Sequence, residues 1–145
     1  MKKLTVLVIA LVTTVAFGGI AATAKPNKIK VKSKITLRYD QGQYTGSPDY
    51  YGNAEFKGKV SVKVKNLSGK QKKKAKKKCK RKRTVVVKQV GGGKFGNTKT
   101  DKTGRYSLNA GGAYNQPGDY VAVAKKKKKG QFVCKKAKSK PVTVP

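Results

Sequence analysis

The chain has 145 residues and carries 37 Lys plus Arg against 5 Asp plus Glu, a formal net charge of +32, with no His and no Trp. That length holds one small domain, and the missing imidazoles and scarce carboxylates remove nearly every acid/base pair.

The first 24 residues read as an export signal. Lys2 and Lys3 form a charged start, Leu4 to Ile20 is apolar, and Ala22-Thr23-Ala24 is a small-x-small cleavage site ahead of Lys25. An uncleaved membrane anchor is the rival reading; the apolar run is shorter than the roughly 20 residues of a spanning helix and ends in small residues without a basic stop, so a cleaved signal is expected, with no transmembrane segment left in the mature chain. Removing those 24 of 145 residues leaves 121, with 35 basic and 5 acidic groups, a net charge of +30. Only 21 of the 121 are Val, Ile, Leu or Phe. That is under the roughly 20% at which a highly charged chain is expected to be disordered.

Patterning argues the other way. Over residues 28–39, Ile29, Val31, Ser33, Ile35, Leu37 and Tyr39 share one parity, and Lys30, Lys32, Lys34, Thr36 and Arg38 take the other. This strict period of two predicts a half-buried first strand. Residues 40–54, "DQGQYTGSPDYYGNA", form a Tyr-rich loop, the least basic stretch of the mature chain. Tyr44, Tyr50 and Tyr51 among small polar neighbours have a composition suited to ligand recognition. The plainer reading is a connection whose rings cover the end of the fold. Asp40, Asp49 and Glu55 lack the spacing of a calcium loop, and no metal is expected.

Strands continue over residues 55–144. Phe56, Gly58, Val60, Val62 and Val64 alternate with Lys57, Lys59, Ser61 and Lys63. Residues 68–83 read as a basic loop, because no window of helical period follows the signal; Lys70 to Arg83 holds 11 basic residues in 14. Thr84 to Val90 is Val-rich and bounded by Gly91-Gly92-Gly93, and further strands are expected at Phe95–Thr100, Arg105–Asn109, Asp119–Ala124, Gln131–Cys134 and Ser139–Val144. Short strands with Gly, Asn, Asp and Pro between them predict an all-β sandwich, a single domain over residues 25–145. Two sheets are required, since one alone would leave its apolar face wet.

In an exported protein, Cys79 and Cys134 most simply form one intramolecular disulfide around the 54 residues between them. Two free thiols or an intermolecular bridge are the other arrangements. By loop entropy the bond contributes about 4 kcal/mol. Without His or a nearby CxxC the pair is half a metal site, and no cofactor is expected.

The stretch "TKTDKTGRYSL" from Thr98, followed by "PGDYVAVA" from Pro117, resembles the T-D-x-x-G-x-Y/F-x-L … P-G-x-Y pattern of carboxypeptidase regulatory-like (transthyretin-like) β-sandwich modules. Asp101 suits a turn capped by its own carboxylate, Gly104 suits a positive φ, and Tyr106 and Leu108 then point inward. "FKGKV" from Phe56, Cys79-x-x-x-Arg83-x-Val85-x-Val87 and "CKKAKSKPVTV" from Cys134 extend the likeness over residues 56–144, as a Lys-rich secreted bacterial version. The resemblance implies an antiparallel immunoglobulin-like or transthyretin-like sandwich of about seven strands. It specifies fold and not function, because its motifs are turn and core positions. Between Leu67 and Cys79 the chain is longer and more basic than that pattern expects.

The candidate polyanion-binding residues are Lys72, Lys73, Lys74, Lys76, Lys77, Lys78, Lys80, Arg81, Lys82 and Arg83 in one run and Lys125, Lys126, Lys127, Lys128 and Lys129 in another. The expected partners are anionic polymers or surfaces, such as cell wall, acidic polysaccharide, nucleic acid or lipid headgroups, held by non-specific electrostatics. Mature Lys outnumber Arg 31 to 4, and no aromatic interrupts the first run. Both facts argue against geometric reading of phosphates or bases. Mere solvation is the bland alternative. No Ser has a Lys base at S-x-x-K spacing, so no enzyme and no small-molecule substrate are expected. The sequence therefore predicts a secreted or wall-associated monomer, a non-catalytic structural module adhering to envelope polymers. The alternatives are an extracellular effector acting on anionic membranes or nucleic acid, and a ligand-binding module using Tyr44, Tyr50 and Tyr51.

Overall fold

A computed structural model of the chain describes residues 27–42, 54–110 and 116–145. The expected signal segment and the loop carrying Tyr44, Tyr50 and Tyr51 lie outside the described residues. In chain order the elements are β1 (Ile29–Asp40), β2 (Glu55–Lys63), α1 (Gly69–Lys80), β3 (Thr84–Gln89), β4 (Lys94–Lys99), β5 (Arg105–Asn109), β6 (Gly118–Ala124), β7 (Lys127–Lys129), β8 (Phe132–Cys134), β9 (Ala137–Lys138) and β10 (Val142–Val144).

Alternation makes the two longest strands. β1 and β2 pair antiparallel with Ile35 opposite Val60 and Tyr39 opposite Phe56. Val31, Ile35 and Leu37 thereby share one buried face with Phe56, Val60 and Val62, while Lys30, Lys32, Lys34, Lys59 and Lys63 stay in water. The first sheet runs β5-β2-β1-β8-β7 and the second β10-β6-β3-β4, with β9 also on β6. Between them Ile35, Leu37, Phe56 and Val60 pack against Val85, Val87, Tyr120, Ala122, Ala124 and Val144. Phe56 anchors an aromatic cluster, with the rings of Tyr39, Phe95 and Tyr120 4.9–5.3 Å away. The protein is an all-β sandwich with one short helix.

That helix corrects the expected basic loop at residues 68–83. Lys and Ala are good helix formers, and Ala75 and Cys79, one turn apart, are the buried residues of α1. What they cover explains why a helix forms here. The inner face of β1 and β2 is longer than the opposing sheet, and its overhang, Val31 and Val62, joins Ala75, Cys79, Phe132 and Cys134 in a second apolar cluster. Lys77, Lys78 and Lys80 in the last turn complement the negative end of the helix dipole. The first turn has no acidic residue, and Ser68 at the N-cap makes no side-chain cap. α1 is thus held from its C-terminal end.

Three further differences concern the strands. The first sheet is not wholly antiparallel: β8 pairs parallel to β1, with Val31 opposite Cys134, and antiparallel to β7 on its other edge. The lysine run contributes a strand, β7, since the turn at Gly130 (φ 58°) folds it onto β8. The expected Ser139–Val144 strand is broken: Ser139 turns inward, its Oγ accepting from Ala122 N at 2.9 Å, and Pro141 offers no N–H. Counted this way the described residues hold ten strands, not about seven.

Candidate polyanion-binding face

A buried disulfide joins the end of α1 to β8. The Cys79 and Cys134 Cα atoms are 5.5 Å apart and both residues are fully buried. Two residues beyond α1 the chain turns sharply at Lys82 (φ 48°) and enters β3.

Arg83, at that entry, is also fully buried. Its Nε donates to Lys125 O at 2.9 Å, Nη1 to Ser33 Oγ at 2.6 Å, and Nη2 to Lys135 O. One guanidinium thus ties together β1 and the chain leaving β6 and β8. Its backbone N–H donates to Thr100 Oγ1 at 2.8 Å, and that hydroxyl donates in turn to Lys80 O. Burial pushes the Arg83 pKa down. The grouping of Arg83 with the polyanion-binding residues is therefore corrected: every nitrogen of its fork serves the core, and none reaches solvent to meet a ligand. The signal for this was its parity, since Arg83 stands in step with the buried Val85 and Val87.

The other cations divide by place. Lys77 and Lys78 lie three and four residues after Lys74 and so share its side of α1, and Arg81 follows just past the helix end. With Lys82 and the hairpin residues Lys127 and Lys129 they line an open groove of about 530 Å³. Lys127 sits at its base, half-buried, with Nζ donating to Arg81 O and, at 3.4 Å, to Lys82 O. Burial, then the neighbouring charges of Lys129, Arg83, Arg81 and Lys82, lowers its pKa. The Lys78 ammonium lies 5.8 Å from the centre of the Phe132 ring. Lys72, Lys73 and Lys76 are exposed outside the groove, as are Lys125, Lys126 and Lys128, and Lys80 is half-buried.

The described carboxylates serve other places. Asp40 faces Glu55 across β1 and β2, and both bind the Lys57 ammonium, at 3.0 and 2.9 Å. The hydrogen bond from Lys57 holds Asp40 below its ordinary range. This pair is at the far end of β1 from the helix, nine residues from Val31, or about 30 Å at ~3.3 Å per residue. Asp119 accepts from Thr143 Oγ1 at 2.7 Å. Among the described residues no three His, Cys, Asp or Glu gather as metal ligands, and Asp49 lies outside them.

Asp101 organises the turn between β4 and β5. Its Oδ1 accepts from Thr103 N at 2.7 Å, Thr103 Oγ1 at 2.9 Å and Arg105 N at 2.9 Å. Gly104 takes φ 90° and accepts from Val60 N at 2.7 Å, which locks the turn to β2. Tyr106 is then buried, its hydroxyl donating to Thr36 O at 2.5 Å over Gly58, while Leu108 is half-buried. No family model matches the chain, and no curated protein or solved structure is significantly similar to it.

Proposed function

We propose that the protein is an exported, non-catalytic β-sandwich that adheres as a monomer to anionic envelope polymers through the face built by α1 and the β7–β8 hairpin. The observation that carries this reading is the groove, whose lining is wholly Lys and Arg. Convergent like charges repel and work against folding. Lysines that only keep a domain soluble gain nothing from being gathered there, so the gathering favours an anionic partner.

Export is supported by the signal-like first 24 residues and by the buried disulfide, a bond that persists in oxidising compartments. The Asp101–Gly104 turn supports the likeness in fold to carboxypeptidase regulatory-like modules. A monomer is favoured because β7, an edge of the first sheet, consists of three lysines, which discourage edge-to-edge pairing. Lysine chemistry makes the adhesion sensitive to salt and weakly selective.

The test is retention of the mature protein on heparin and on anionic wall polymer. Elution only at several hundred millimolar salt is expected; release near about 50 mM would refute adhesion by electrostatics.

A further inference from the structure

We propose that the groove between α1 and the β7–β8 hairpin is a discrete seat for a run of linked phosphates, so that polyanion binding is focused there instead of being spread over the lysine-rich surface. This rests on the adhesion reading above and deepens it by naming a site and a ligand class.

The geometry of the walls is the first argument. On one side Lys74 and Lys77 or Lys78 follow one another along the helix, at the roughly 5–6 Å spacing of neighbours three or four residues apart, and Arg81 continues the wall just past the helix end. Lys129 faces the groove from the hairpin. An anion with several charges in a row meets cations from two elements at once, whereas Lys72, Lys73 and Lys76 offer it one helix surface.

The walls are also fixed before a ligand arrives. Cys79–Cys134 bonds the helix to β8, and Lys127 Nζ fastens the base of the hairpin to the carbonyls of Arg81 and Lys82. Those same hydrogen bonds occupy two carbonyl oxygens that would otherwise repel an anion. A preorganised site loses little entropy on binding. Burial first, and then the positive charges of Lys129, Arg83, Arg81 and Lys82, lower the Lys127 pKa; a bound anion would offset the second of these.

The chemistry of the lining selects the class. Six Lys and one Arg line it, and ammonium groups bind phosphate oxygens as point charges without imposing a planar geometry, so what the groove favours is closely spaced negative charge, as in linked phosphates. No aromatic side chain lines the groove, so a nucleobase or a sugar ring finds nothing to stack on. What is recognised is a phosphate backbone alone.

The experiment titrates the disulfide-bonded protein with inorganic polyphosphate at several salt concentrations. Two variants remove the same charge: Lys74→Gln/Lys78→Gln/Lys129→Gln in the groove and Lys72→Gln/Lys73→Gln/Lys76→Gln outside it. The groove variant is expected to bind about tenfold or more weakly, with the salt slope reduced by about two to three, and the outer variant to lose less than about threefold. Lys74→Arg/Lys78→Arg/Lys129→Arg should bind within about twofold of the parent. All six positions are exposed, and thermal unfolding of both Gln variants should match or exceed the parent at low salt because repulsion is relieved. Equal losses in the two Gln variants would overturn the seat while leaving adhesion standing. Parent protein that is retained on heparin yet ignores polyphosphate would overturn the ligand class. Parent protein that binds neither brings down the adhesion reading itself, and the seat with it.

Discussion

Arg83 and Ser33 meet on the inner face of the sandwich, where Nη1 donates to the hydroxyl oxygen at 2.6 Å. Ser33 lies between Val31, which belongs to the cluster under the helix, and Ile35, which belongs to the cluster between the sheets. The guanidinium is therefore the polar joint between two apolar cores, and its partners are neutral oxygens. Replacing Arg83 with Met or Lys leaves carbonyls of Lys125 and Lys135 without their donors, and each change is expected to lower stability by about 3 kcal/mol. Ser33→Ala should lower it by about 1 kcal/mol. Urea unfolding measures both, and an Arg83→Lys protein as stable as the parent would show that charge alone matters there.

Removing the disulfide, by reduction or by Cys79→Ala with Cys134→Ala, is expected to lower stability by about 4 kcal/mol through the released loop. The loss should be uneven. Eight of the twelve residues of α1 are Lys, so without its bond to β8 the helix repels itself apart at low salt. Circular dichroism should show helical signal lost on reduction and regained with added salt or polyanion. An unchanged melting temperature would refute the staple.

Gly58→Val is expected to destabilise by about 3 kcal/mol, because a Cβ there runs into Thr36 O and the Tyr106 hydroxyl and breaks the bond between them. Gly93→Ala is the matched control, since its Cβ meets open space, and should change stability by less than about 0.5 kcal/mol. Soluble yield and denaturant midpoints distinguish the two.

Acid should loosen the β4–β5 turn. Desolvation raises the Asp101 pKa, but hydrogen bonds from Thr103, Arg105 and Gly104 outweigh it and leave the carboxyl below its ordinary 3.8. The unfolded chain then takes up a proton before the folded one as pH falls, so this stabilisation is present above pH 3.8 and disappears as pH drops through the lower folded value. Asp101→Asn should be less stable than the parent at neutral pH, with the gap closing below 3.8. A gap that stays constant into acid would show that the carboxylate charge plays no part.

Much of the sandwich was legible because Lys and Val mark the two faces of β1 and β2 so sharply, and because Asp101 and Gly104 punctuate a turn with its chemistry in view. The disulfide followed from there being two Cys. α1 was hidden by its own composition: a buried stripe of one Ala and one Cys gives no apolar period, and what holds it is the overhang of β1 and β2, a tertiary fact. β7 was hidden for a related reason, since a run of lysines becomes a strand only through its partner β8. Of the candidate cations, the division into groove, outer surface and core depends on contacts between residues 40 to 50 positions apart, such as Arg83 with Ser33 and Lys127 with Arg81. No local pattern encodes those distances.

The parallel pairing of Val31 with Cys134 also sets an order of events. A chain that emerges N-terminus first must hold one edge of β1 open until Phe132–Cys134 appear, and closing that seam then encloses all the sequence between the two strands in a loop. Contacts this remote in sequence form slowly. Until β8 is made, Cys79 has no partner for its thiol and the lysines of α1 have no disulfide to hold them to the sheet.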